Sequence, residues 1–120
     1  MRFVAAFLLI LFSNLAFAGY DLHITRKPHW ADEVGPKIAI SEWHEYLKRD
    51  RQVSRDKQNS ENDFVVSLPN ESFPIWFDPK LGELTTKNPS EAAIKKLIEM
   101  SKNLKARVQG DDGETYPLKP

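Results

Sequence analysis

Cysteine is missing from the 120 residues. Its absence removes disulfides, thiol nucleophiles, cysteine metal sites and a lipidated N-terminal cysteine together. An excess of charge is missing too, because 17 Lys and Arg face 17 Asp and Glu. No basic surplus points to nucleic acid, and no acidic surplus points to a polycationic partner. There is no phosphate-binding glycine loop, no Gly-x-Ser-x-Gly elbow and no internal repeat. His44-Glu45-Tyr46-Leu47-Lys48 carries lysine where a zinc-protease helix needs its second histidine. These absences lean against an enzyme and imply no cofactor.

What is present begins with a targeting pattern. Met1-Arg2 is a short positive segment, Phe3 to Phe12 is unbroken and apolar, and Ala16-Phe17-Ala18 sets small residues before Gly19. This predicts a secretory signal peptide over 1–18, cut after Ala18, and a periplasmic or secreted product. Retention as an N-terminal anchor is the alternative. The apolar core of this segment is shorter than the roughly 20 residues that cross a bilayer as a helix. After cleavage no membrane span is expected. Only Arg2 is lost among the charged residues, so the formal charge becomes −1.

The mature chain reads as one α+β domain over 19–116 with a tail at 117–120. Asn88 to Arg107 is the best-written helix. Asn88 and Pro89 suit a helix start, Glu91 suits its positive end, and Ala93, Ile94, Leu97, Ile98, Ser101 and Leu104 form one apolar stripe. Lys95, Lys96, Lys102 and Lys105 fall off that stripe. A shorter helix opens at Ser41 and presents Trp43, Tyr46 and Leu47.

Strands are expected at Tyr20–Arg26, Asp63–Leu68, Pro74–Asp78, Glu83–Lys87 and Ala106–Gln109, with a return at Glu114–Tyr116. Lys27–Pro36 is a loop. Lys48–Asn62 holds one apolar residue, Val53, in fifteen, and reads as a helix end followed by a mobile charged loop near 50–62. The order β-α-β-β-β-α-β implies an antiparallel or mixed sheet with two helices packed on one face. The expected core is Leu22, Ile24, Trp43, Leu47, Phe64, Val66, Ile75, Phe77, Leu84, Ile94, Leu97, Ile98, Leu104 and Val108.

Chemistry-bearing residues are few. Asp21 and His23 share a strand face and His29 lies one loop away, a set of N and O donors that zinc accepts, although the spacing is not diagnostic. With Asp78 these three form the acid, base or metal set of an alternative reading, a small periplasmic hydrolase or metal-dependent enzyme. Gly110-Asp111-Asp112-Gly113 reads as a hairpin turn in preference to a calcium loop. Aromatic residues are many for so short a chain: three Trp, three Tyr and seven Phe. Trp30, beside Asp32 and Glu33 in a polar loop, is either an exposed anchor of a protein-binding surface or a lid folded back on the sheet. A binding face would be built from His23, Trp30, Trp76, Arg107, Gln109 and Asp111.

The segment from Tyr20 to Lys27 with Trp30 and Trp43, the strand Trp76-Phe77-Asp78, Lys87-Asn88-Pro89, and Ala106 to Tyr116 resemble the corresponding parts of a group of small uncharacterised bacterial proteins. The resemblance covers most of 19–116 and implies no established activity. Members of that group usually begin directly at the Tyr-Asp-Leu-His strand, whereas this chain adds an export signal and has a shorter, more charged middle. Together these features favour a non-catalytic envelope protein that binds another protein, of the immunity or inhibitor type.

Overall fold

The computed structural model describes residues 19–119, so the expected signal segment 1–18 lies outside the described residues. The elements are β1 (Asp21–Thr25), α1 (Ile40–Leu47), β2 (Val53–Arg55), β3 (Asp63–Ser67), β4 (Ser72–Asp78), β5 (Glu83–Lys87), α2 (Glu91–Asn103), β6 (Arg107–Gly110) and β7 (Thr115–Tyr116). The strands form one seven-stranded antiparallel sheet in the order β2-β3-β4-β5-β1-β6-β7. The first strand is therefore inserted between the fifth and the sixth, with β5 at the centre of the sheet.

The register sorts side chains by face, because successive residues of a strand point to opposite sides. Phe64 pairs Ile75, Phe77 pairs Leu84, Leu84 pairs Ile24, and Ile24 pairs Val108. These residues share the face that the helices cover. Trp43 of α1 is fully buried there, edge-on to Phe64 at 5.2 Å between ring centres, while α2 contributes Ala93, Leu97, Met100 and Leu104.

Several local expectations are corrected. Ser90, not Asn88, caps α2: its side chain accepts a hydrogen bond from Ala93 N at 3.1 Å, and Asn88 takes φ 45° in the preceding turn. Ala39, not Ser41, occupies the cap of α1, where Glu42 Oε1 accepts from Ala39 N at 3.1 Å. Lys96 is buried instead of solvated, because its ammonium meets Asp50 at 2.8 Å. The charged segment after α1 holds a short edge strand. Val53 is buried opposite Val66, and Ser54 and Arg55 are exposed. Ile38, Tyr46, Val53, Phe73 and Met100 join the core, whereas Leu47, Ile94 and Ile98 sit at its margin.

Arg26 ties the two helices together. Its guanidinium donates to Leu104 O at the end of α2 (2.8 Å from Nη2) and to both Glu42 oxygens on α1 (2.9 and 2.7 Å). The fork geometry of arginine suits this bidentate grip. The Arg26 hydrogen bonds, helped by the Ala39 N–H, hold the Glu42 carboxyl down at about 2. A second link joins Tyr46 to Asp50 and Asp50 to Lys96. Burial raises the Asp50 carboxyl, but hydrogen bonds from Lys96 and Tyr46 outweigh it and hold the group below its ordinary value.

Candidate functional site

The opposite face of the same sheet is closed by polar contacts. Trp76, Thr85, His23 and Gln109 stand in one row across β4, β5, β1 and β6, and Glu83, Thr25 and Arg107 form the neighbouring row. His23, Thr25, Glu83, Thr85 and Gln109 are all buried. The loop from Lys27 to Pro36 lies over them.

The loop is fastened at each turn. Gln109 grips it twice: Oε1 accepts from Trp30 N at 2.9 Å, and Nε2 donates to Pro28 O at 2.8 Å. Arg107 donates to Lys27 O. The Trp30 indole N–H donates to Asp111 O at 3.1 Å, and its ring stacks on His23 with 3.9 Å between centroids. Lys27 itself is fully buried. Its ammonium donates to Asp32 O at 2.6 Å and lies 3.2 Å from Glu83 Oε2. Burial pushes the Glu83 carboxyl above its ordinary range, and the adjacent Lys27 opposes that shift. His29 packs on Gly113, where a Cβ would meet His29 Cδ2 at 2.8 Å and where φ is +85°. Glycine is needed there on both counts.

His23 is the hub. Nε2 meets Asp111 Oδ1 at 2.9 Å, Nδ1 meets Thr85 Oγ1 at 3.2 Å, and Asp111 Oδ2 also accepts from Asp21 N at 2.9 Å. A neutral imidazole satisfies both contacts, donating from one nitrogen and accepting at the other. Both nitrogens are thus occupied and Trp30 covers the ring. This arrangement positions and stiffens the loop, and it leaves the imidazole no open edge for proton transfer.

The structure therefore brings together His23, Trp30, Gln109, Asp111 and Arg107, with Trp76 in the same row two strands from His23. Of the two readings of Trp30, the folded-back one is observed. Asp21, His23, His29 and Asp78 do not form one centre. The Asp78 carboxylate accepts from Lys80 N and Leu81 N in the β4–β5 turn, and His29 Nδ1 accepts from Ala31 N within its own loop. Among the described residues no group of three or more His, Asp or Glu is arranged to hold a metal ion. No described helix is long and apolar enough to cross a membrane.

Sequence reasoning missed Lys27, Glu83 and Thr85. Their only signal is strand parity, which sets Thr25, Glu83 and Thr85 on the His23 side. That signal reads as solvent until the strand order shows those positions at the sheet centre, beneath a loop. Compared with protein-family models, with curated proteins and with solved structures, the chain gives no match.

Proposed function

We propose that the protein is a non-catalytic binding protein of the bacterial envelope, of the immunity or inhibitor type, whose contact element is the loop from Lys27 to Pro36. One observation carries this reading: the base of the loop is held by buried polar anchors while its tip, Val34, is 85% exposed between Glu33 and Gly35. A connector between β1 and α1 needs no such fastening. A recognition loop gains from it, because a segment already fixed in its bound shape loses little entropy on docking. Asp32 and Glu33 give the tip an acidic flank, which suits a partner surface with an apolar notch and a basic rim. Export of the chain accords with a partner outside the cytoplasm.

The test is site-specific photocrosslinking from position 34 in the source cell, followed by purification of the adduct. The reading expects one dominant protein adduct, lost when the neighbouring acidic residue is reversed by Glu33→Lys, without a change in melting temperature. Absence of any adduct from position 34, with the folded protein present in the envelope, overturns it.

A further inference from the structure

A separate feature lies at the other end of β1, on the helix-covered side. A cavity of about 340 Å³ opens between Tyr20, just before β1, Leu22 of β1, Ile94 of α2, and Glu114 and Tyr116 after the β6–β7 turn, with Asp112 at its rim. No lysine, arginine or histidine lines it. Glu114 Oε2 accepts hydrogen bonds from the Tyr20 hydroxyl and, at 3.4 Å, from the Tyr116 hydroxyl. Glu114 Oε1 is buried and has no hydrogen-bond partner. Neither Glu114 nor Asp112 has a cationic partner among the described residues.

The backbone is shaped around this carboxylate. A Cβ at Gly110 would run into the Tyr20 hydroxyl and both Glu114 oxygens, which lie 2.5 Å from its ideal position. Glycine is thus required for Glu114 and Tyr20 to meet. Burial, then the Glu114 hydrogen bond, keeps the Tyr20 hydroxyl protonated far above its ordinary range, and burial followed by the Glu114 charge raises Tyr116 as well. Both phenols therefore act as donors and bring no negative charge of their own.

A desolvated carboxylate with a spare acceptor, aromatic walls and an apolar floor has one complementary ligand class. A buried acceptor without a donor is costly. An ammonium supplies donors, neutralises the charge and gains from the electron-rich ring faces. We propose that this cavity binds a primary alkylammonium group, its stem against Leu22 and Ile94 and its charged head between Tyr20, Tyr116 and Glu114. The Tyr116 hydroxyl holds Glu114 Oε2 only at 3.4 Å, and this is the contact that the ammonium displaces. The site is distinct from the loop of Lys27–Pro36, and neither reading depends on the other.

The test is a titration of the mature protein followed by the methyl NMR signals of Leu22 and Ile94. Probes are n-pentylammonium, n-pentanol, pentanoate and Nα-acetyl-lysinamide. The expected result is saturable binding of pentylammonium at least tenfold tighter than pentanol, no response to pentanoate, and a loss of at least tenfold in Glu114→Gln, whose shape preserves the Tyr20 contact. Binding of acetyl-lysinamide as well assigns the natural source to a lysine side chain; binding of the free amine alone assigns it to a small amine. Equal affinity for amine and alcohol, or no saturable response in the unmodified protein, overturns the proposal.

Discussion

The helix-facing side of the sheet buries Phe64, Val66, Ile75, Phe77, Leu84 and Val108 under Trp43 and Leu97, whereas the loop-facing side buries His23, Thr25, Glu83, Thr85 and Gln109 under Lys27 and Trp30. Both sides exclude water from β5, β1 and β6. They do so by interactions with different rules. Apolar burial is non-directional and scales with area, so it stabilises whatever packs well. Hydrogen bonds and ion pairs are directional and costly when unmet, so they stabilise one geometry of the loop and no other. The first face holds the domain together, and the second sets the shape of one segment.

This comparison can be broken at its strongest point first. Trp43→Ala should destabilise the protein by about 3–5 kcal/mol, the cost of a large fully buried aromatic. Chemical denaturation checks it, and a loss below about 1 kcal/mol would mean that the helix face is not the principal core. On the other face, Lys27→Met alone should cost a similar ~3–5 kcal/mol, because it strands the buried Glu83 carboxyl. The double change Lys27→Met with Glu83→Leu should recover most of that loss, since apolar residues often replace a buried ion pair at little cost. No apolar partner exchange would rescue Trp43→Ala in the same way.

The single Lys27→Met variant also carries a pH signature. Burial holds the Glu83 carboxyl above its ordinary value, and the variant loses the Lys27 ammonium that most opposes that shift. Stability from a raised carboxyl is present below its unfolded value and falls as pH rises through the folded one. The variant should therefore lose stability on going from pH 4 towards neutrality more steeply than the parent.

A smaller effect is expected at Asp111→Ala, about 1–3 kcal/mol, which leaves Asp21 N and His23 Nε2 without an acceptor. Smallest is Glu42→Gln. Glu42 is held at about 2, well below the ordinary carboxylate range, so its contribution is present above that range and fades as pH falls towards 2. The carboxylate is partly exposed and screened. The substitution should therefore cost a small amount of stability at neutral pH, and that difference from the parent should disappear as pH falls towards 2.

How far the residues alone led differs between the faces for the same reason. Apolar periodicity marks Leu22, Ile24, Phe64 and Leu84 directly, and α2 is recognisable from Ala93, Leu97 and Leu104, because burying such a stripe is the reason it exists. Nothing comparable marks Thr85 or Gln109. A polar residue in a strand reads as solvent-facing, and only tertiary pairing makes it interior. Lys96 misleads likewise: its helical position is polar in type, yet Asp50, supplied by the turn after α1, draws it inside. Val53 lies in a charged segment too poor in apolar residues to signal a strand, and it becomes one by borrowing the ladder of β3. For the loop, the aromatic and polar residues that stood out in the sequence do converge, but chiefly as fastenings beneath the exposed tip.

The account turns on the claim that the polar face holds the loop as a unit separable from the apolar core. Hydrogen exchange on the parent and on Gln109→Leu tests it most directly, because Gln109 supplies the acceptor for Trp30 N and the donor for Pro28 O. The account predicts protected exchange at Trp30 N in the parent, fast exchange there in the variant, and unchanged protection at Phe64 and Ile75. Loss of protection across all three amides, or a Trp30 amide that stays protected in the variant, would contradict it.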